Sequence, residues 1–156
     1  MLPSTLFDLT DKTALVTGDA TGIGKMAATG LAASGFSVFI ANLKGEDCRK
    51  TATRINALNF PGSVEGFAAD ISTQTGIEAL MNEVQKRTAR LDILLNNAGR
   101  SWGAALGAFP HDAWRKVLDL NVSGMFHLTQ GLIEIFDGLG AARGSIALDQ
   151  SGQRDG

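Results

Sequence analysis

The chain has 156 residues, of which 14 are Lys or Arg and 16 are Asp or Glu, so its formal net charge is -2. Its hydrophobic fraction of 44% is typical of one globular domain and excludes a disordered or fibrous chain. The mixed, nearly balanced charges predict no nucleic-acid or membrane partner. Without an export signal or an apolar stretch of about 18 residues, the expected compartment is the cytoplasm. Cys48 is the only cysteine, which excludes an internal disulfide and a cysteine-based metal cluster, so no metal site is predicted.

Short apolar runs of β type alternate with longer segments of helical periodicity, which is the pattern of βαβ units. We therefore predict an α/β fold with a three-layer, doubly wound (Rossmann) parallel sheet and strand order 3-2-1-4-5. Strands are predicted at residues 13–17, 37–41, 64–69, 91–95 and 144–148. Helices are predicted at 23–34, 46–58 and 73–90, with a long helix from Asp112 to Phe136. The domain is expected to span residues 1–147, followed by an irregular tail over 148–156.

A glycine-rich turn, Thr17-Gly18-Asp19-Ala20-Thr21-Gly22-Ile23-Gly24, directly follows the first predicted strand and opens the first predicted helix. Gly18 permits a tight turn, Gly22 lets the backbone approach a pyrophosphate, and Gly24 allows close packing of helix and strand. The helix start adds free amides and a positive dipole end. This turn is therefore predicted to bind nucleotide phosphates through Thr17, Gly18, Thr21, Gly22, Ile23 and Gly24.

The spacing T-G-x-x-x-G-I-G resembles the short-chain dehydrogenase/reductase family, and three later motifs extend the resemblance over roughly residues 8 to 147. Asp70-Ile71 resembles the family's adenine-contacting pair. Asn96-Asn97-Ala98-Gly99 resembles its N-N-A-G motif, which places Asn97, Ala98 and Gly99 beside the nicotinamide. Asn121 resembles the catalytic asparagine borne on a helix. The resemblance implies a nicotinamide dinucleotide cofactor, a small ketone or alcohol substrate, and family strands and helices beyond residue 147 that this chain lacks.

The stretch from Ala89 to Leu106 is similar to 3-oxoacyl-carrier-protein reductases of the rhamnolipid-synthesis type. This narrower resemblance implies an NADPH-dependent ketone reductase that acts on acyl or related hydroxy compounds. Gluconate-type dehydrogenases are a close second.

The end of the second strand indicates which dinucleotide is preferred. NAD enzymes of the family usually carry an acidic residue there for the ribose hydroxyls, whereas this chain has Asn42. Without that carboxylate a 2′-phosphate is not repelled, and the ammonium of Lys44 lies within reach of it. Leu43 and Thr21 stand where many NADP-specific members have Arg or Lys. NADP is therefore favoured, and NAD remains possible.

The chain lacks the proton donor that the resemblance implies. The family pairs Tyr with Lys four residues later, but this chain has no tyrosine and its last lysine is Lys116. Ser151 falls near the position of the family's catalytic serine, although Asp149 and Gln150 interrupt the expected apolar strand before it. General acid-base assistance contributes about 10² to 10⁴ in rate, so any turnover is expected to be severely impaired.

Two alternatives to an impaired oxidoreductase remain open. One is a non-enzymatic binding module that docks through the helix from Asp112 to Phe136 onto a full-length relative. The other is a non-functional truncated product. In the family this helix helps to build a dimer interface, so homo- or hetero-oligomers are expected.

Asp19 stands beside the predicted phosphate position, where the family has a small residue. Like charges about 4 Å apart repel by roughly 1 kcal/mol in water and about 4 kcal/mol at a surface-like dielectric. Asp19→Gly is therefore expected to bind NADPH more tightly, by up to a few hundredfold. Fluorescence titration of NADPH into both chains measures this, and equal affinities would refute the prediction.

Overall fold

The structure is a computed structural model that describes residues 9–18, 20–136 and the backbone of 145–148. Its five strands form one parallel sheet in the order β3-β2-β1-β4-β5. The strands are β1 (Thr13–Thr17), β2 (Ser37–Asn42), β3 (Ser63–Ala68), β4 (Ile93–Asn96) and β5 (Ser145–Leu148). The helices are α1 (Gly22–Ala33), α2 (Gly45–Asn56), α3 (Gln74–Gln85), α4 (His111–Leu118) and α5 (Met125–Leu132). Among the described residues, no helix has both the length and the apolarity needed to cross a membrane.

The central strand is apolar on both faces because helices cover both sides of the sheet. Ala14 and Val16 face a core cluster built with α1 and α2. Leu15 faces a second cluster, built with α3 and α5. All three side chains are at most 2% exposed. The sheet is therefore the middle layer of three, as the sequence predicts.

The third helix ends earlier than predicted. It stops at Gln85, five residues before the predicted end at Arg90. The hydroxyl of Thr88 accepts a hydrogen bond from the Arg90 amide at 3.1 Å and donates to the Arg90 carbonyl at 2.6 Å. These local bonds compete with helical ones and turn the chain towards β4.

The predicted long helix is continuous but not uniformly α-helical. A π-helical turn spans Asp119–Gly124, between α4 and α5, and a 3₁₀ turn spans Ile133–Ile135. Such π turns are rare and often lie at functional sites. Helical periodicity in the sequence does not reveal them, because apolar residues spaced four apart fit a π turn as well as an α turn.

The fifth strand ends at Leu148, as predicted, one residue beyond the predicted end of the domain. Leu148 pairs with Asn96 in the parallel ladder, so it belongs to β5 and not to the tail. Residues 149–156, which include Ser151, lie outside the described residues, as does Asp19.

The carboxylate of Asp92 joins the starts of β1 and β4. It accepts hydrogen bonds from the Thr13 amide at 3.0 Å, Lys12 Nζ at 3.1 Å and Arg90 Nη2 at 2.6 Å. Burial raises the pKa of Asp92, but these partners together lower it by more, so the net pKa lies below its usual value. The folded state therefore favours the charged carboxylate.

Asp92→Asn is expected to lower the free energy of unfolding by about 1.5 to 3 kcal/mol at neutral pH, because charge-assisted hydrogen bonds are lost. A carboxyl group with a lowered folded pKa stabilises the fold above its unfolded pKa of about 3.9, and this contribution disappears as the pH falls through the folded pKa. Urea unfolding at about pH 7 and pH 3 measures both effects.

The control is Glu134→Gln, which removes an exposed carboxylate that has no ion pair among the residues described. It should change the stability by less than about 0.5 kcal/mol. A difference between Asp92→Asn and the unmodified chain that persists unchanged at acidic pH would contradict the prediction.

Candidate cofactor site

The candidate site lies at the carboxyl edge of the sheet, where neighbouring strands end together. The ladder pairs Thr17 with Ala41 on one side and with Asn96 on the other. The ladder also pairs Asn42 with Ala68. The loops that follow β1, β2, β3 and β4 consequently lie side by side. Open α/β sheets bind ligands at this edge, where the strand order reverses between β1 and β4.

Gly18 makes the turn after β1 possible in two ways. Its φ is +102°, a conformation that side chains other than glycine rarely adopt. A Cβ atom there would lie 2.6 Å from Asn97 Nδ2 and 2.7 Å from the Ala98 nitrogen. The turn therefore needs glycine for its backbone conformation and for the loop after β4, which rests on it.

The start of α1 is open to a ligand. Thr21 is the N-cap residue, with an extended backbone and no capping hydrogen bond from its side chain. Gly22 has φ of +51°, and a Cβ added to it would meet no atom within 4 Å. Ile23 is 43% exposed, whereas Gly24 is buried. The first amides of a helix have no partner within it, so this open start suits an anionic group such as a phosphate.

A lysine, Lys44, follows the end of β2 by two residues. Asn42 Oδ1 accepts a hydrogen bond from the Lys44 amide at 3.3 Å, and Lys44 is the N-cap residue of α2. The nearby carboxylate of Glu46 is paired with Lys50 at 2.7 Å, and this hydrogen bond lowers the pKa of Glu46. Within the described part of the chain Lys44 forms no ion pair, so its ammonium is available next to Asn42.

The two residues expected to contact adenine differ in what they expose. Asp70 Oδ1 accepts hydrogen bonds from the Ser72 amide at 3.0 Å and the Ser72 hydroxyl at 2.6 Å, which fix the orientation of the carboxylate. Ile71 is only 4% exposed and packs in the core beneath α3. Asp70 can therefore offer its side chain to a ligand, whereas Ile71 offers only its backbone.

Hydrogen bonds join the loop after β4 to the end of β1. Asn97 Nδ2 donates to the Thr17 carbonyl at 3.0 Å. The Thr17 hydroxyl, itself 1% exposed, lies 3.4 Å from both the Ala98 amide and the Leu95 carbonyl. The predicted site residues Thr17, Asn97 and Ala98 thus build the floor of the site, and the Asn97 amide nitrogen is occupied in doing so.

The side chain of Asn121 holds the next part of this loop. Its Oδ1 accepts a hydrogen bond from the Arg100 amide at 2.8 Å, and its Nδ2 donates to the Arg100 carbonyl at 2.9 Å. A Cβ added to Gly99 would lie 3.7 Å from the same oxygen. The π-helical turn that carries Asn121 is therefore joined directly to the loop expected beside the nicotinamide.

Comparison with protein families gives a direct assignment. The family model described as short chain dehydrogenase matches residues 12–152. This chain belongs to the short-chain dehydrogenase family. The matched region contains the turn after β1, the loops after β3 and β4, and the helix with Asn121.

Curated members of the short-chain dehydrogenase family are similar over most of this chain. It is 44% identical over 129 residues to the rhamnolipids biosynthesis 3-oxoacyl-[acyl-carrier-protein] reductase of Pseudomonas aeruginosa, covering 83% of this chain and 49% of that protein. It is 35% identical over 124 residues to the NAD-dependent glycerol dehydrogenase of Listeria innocua, covering 80% and 47%. The chain thus spans about half the length of the curated relatives it matches.

Solved structures agree with the predicted fold class. The RhlG/NADP active-site complex of Pseudomonas aeruginosa superposes with a TM-score of 0.76 at 43% identity, over 86% of this chain and 51% of that one. A short-chain type dehydrogenase/reductase from Mycobacterium marinum superposes with a TM-score of 0.81 at 28% identity, over 92% and 55%. The doubly wound parallel sheet predicted from the sequence is confirmed.

Two residues of this region, Gly124 and Thr129, were not singled out from the sequence, and Asn96 was named only as part of the N-N-A-G motif. Asn96 is 2% exposed and donates to the Thr129 hydroxyl at 3.0 Å, while its Oδ1 has no hydrogen-bond partner among the residues described. Gly124 is buried at the end of the π-helical turn. A glycine within a long helical pattern is a known signal for close packing, so Gly124 was detectable, whereas Thr129 carried no such signal.

Proposed function

We propose that this chain binds NADP(H) at the carboxyl edge of its sheet. The observation that carries the proposal is the close fit of Gly18 against the Asn97 side chain and the Ala98 backbone, next to the open start of α1. The phosphates would lie at the amides of Gly22 and Ile23, the adenine beside Asp70, and the nicotinamide beside Gly99. The NADP complex of a relative 43% identical in sequence supports the choice of ligand.

Preference for NADP(H) over NAD(H) is proposed to come from Lys44. A 2′-phosphate beside Asn42 meets no carboxylate there, and the Lys44 ammonium can pair with it. One charge-assisted hydrogen bond is worth about 1.5 to 3 kcal/mol. The glycerol dehydrogenase relative is NAD-dependent, so NAD remains the competing ligand that the experiment must include.

As a catalyst the chain is proposed to be severely impaired. Bound NADPH would supply a hydride for the family's reaction, which interconverts ketones and alcohols. One relative is a 3-oxoacyl-[acyl-carrier-protein] reductase, so 3-oxoacyl compounds are the proposed class of substrate. The new alkoxide needs a proton from a positioned acid. The chain has no tyrosine, and both polar atoms of the Asn121 side chain are bound to the Arg100 backbone, so neither the family's usual acid nor Asn121 would supply that proton.

Lys44→Ala is expected to weaken NADPH binding by about tenfold or more, because the contact is worth at least about 1.5 kcal/mol and a factor of ten corresponds to about 1.4 kcal/mol. Its affinity for NADH should stay unchanged, since NADH has no 2′-phosphate. Titrations of both nucleotides, followed by nicotinamide fluorescence, measure the two ratios. The same samples should reduce simple ketones and 3-oxoacyl thioesters far more slowly than a complete family member.

The matched control is Lys86→Ala, which removes a lysine paired with Glu83 after the end of α3 and should change neither affinity. Failure of the unmodified chain to bind either nucleotide would overturn the proposed function. Equal losses for NADPH and NADH in Lys44→Ala would overturn the role of Lys44, and robust ketone turnover would overturn the impairment.

We further propose that the chain self-associates through the outer face of its long helix. Large apolar side chains recur there every four residues and are about one-third to three-fifths exposed, namely Trp114, Leu118, Val122 and Phe126. The π-helical turn has more residues per turn than an α-helix, which keeps this stripe along one side. An apolar stripe of this kind favours burial against another protein surface, and a second copy presents the same stripe. The alternative partner for this stripe is a full-length relative.

Val122→Lys is expected to shift the chain towards monomer, because a charge placed in an apolar contact is costly to bury. Sedimentation velocity over a range of concentrations measures the shift. Ser123→Lys, at an exposed position outside this four-residue series, is the control and should leave the association unchanged. A concentration-independent monomer for the unmodified chain would contradict self-association.

A further inference from the structure

Gly124 brings the π-helical turn into direct contact with the loop after β3. The residue is buried, and a Cβ atom on it would collide with the carbonyl oxygen of Ile71 and press on that of Asp119. Since both neighbours are backbone atoms, no side-chain rotation can relieve the collision. The absence of a side chain at this position is therefore what allows the two backbones to meet.

This contact connects two loops that lie on opposite sides of the proposed cofactor. Ile71 directly follows Asp70, whose carboxylate is fixed by Ser72 at the adenine side. Asn121 belongs to the same π-helical turn as Gly124 and holds Arg100 by two backbone hydrogen bonds at the nicotinamide side. A displacement of the backbone at Gly124 would therefore move both loops, the one at Ile71 through direct contact and the one at Arg100 through Asn121.

We propose that Gly124 is a positioning residue that holds the adenine and nicotinamide halves of the site in register. The contact with the Ile71 carbonyl fixes where the π-helical turn lies against the sheet. Asn121, on the same turn, then fixes the position of the Arg100 loop through its two hydrogen bonds. The role in cofactor binding rests on the proposed function. The mechanical link from Gly124 to Arg100 is independent of the proposed function, and it can be tested without a nucleotide.

The first experiment measures hydrogen exchange at the Arg100 amide, which donates to Asn121. Gly124→Ala should speed this exchange about tenfold or more, while amides of β1 and β2 keep their protection, because exchange reports local opening. The matched control is Gly131→Ala on the same helix, where an added Cβ meets only the flexible Met81 side chain. That variant should leave the Arg100 amide unchanged, and unchanged exchange in Gly124→Ala would overturn the proposal.

The second experiment compares NADPH with adenosine 2′,5′-bisphosphate, which contains only the adenine half. NADPH must span both loops, so Gly124→Ala should weaken its binding about fivefold to tenfold more than that of the bisphosphate. Asn121→Ala should produce the same difference, and the double variant should add little, since residues in one path are not additive. Equal losses for the two ligands, or fully additive losses, would overturn the positioning role.

The unmodified chain provides a third measurement, which does not depend on the folding of any variant. The bisphosphate, bound only at the adenine side, should slow exchange at the Arg100 amide by about threefold, because a loop held at Ile71 holds the π-helical turn more firmly. Unaltered exchange at saturation would overturn the link. Failure of the unmodified chain to bind either ligand would sink the proposed function, while the first experiment would still decide the role of Gly124.

Discussion

The site depends on the interlock between two turns at the centre of the sheet. Gly18 leaves no room for a side chain, and the Asn97 amide fills that space by bonding to the Thr17 carbonyl. A larger residue at position 18 would be strained by its positive φ and would also collide with the loop after β4. The turn after β1, proposed to bind phosphates, and the loop after β4 therefore fix each other's positions, so a change in one is expected to displace the other.

Burial of the sheet explains why this interlock is rigid. β1 lies between β2 and β4 and is covered by helices on both faces, so Leu15 is completely buried. The buried polar residues of the described strands, Thr17 and Asn96, lie where β1 and β4 end, and they are hydrogen-bonded through their hydroxyl and amide. Because unsatisfied polar groups are costly inside a protein, each of these bonds favours one arrangement of the edge. The orphan Oδ1 of Asn96 is the exception among the described residues.

The sequence predicted the strand order and the positions of the loops because parallel strands and their turn glycines leave strong local patterns. It misplaced the end of α3 by five residues, since the hydrogen bonds of Thr88 to Arg90 are a local choice that periodicity does not encode. The π-helical turn was also missed, because Asp119–Gly124 keeps a helical apolar pattern. The motifs did not reveal that the side chains of Asn97 and Asn121 hydrogen-bond to the backbone of other loops. Such roles depend on which carbonyl lies opposite, and that is decided by tertiary packing.

Nucleotide binding and proton transfer need different chemical groups. Phosphates need backbone amides and a nearby cation, which glycine turns and one lysine can supply wherever a parallel strand meets a helix. Proton delivery needs a group whose pKa can approach working pH. An amide such as that of Asn121 cannot give up a proton near neutral pH, and both of its polar atoms are already engaged by Arg100. The described edge of the sheet therefore has the features that the proposed dinucleotide binding requires, and Asn121 serves there to hold a loop and not to transfer a proton.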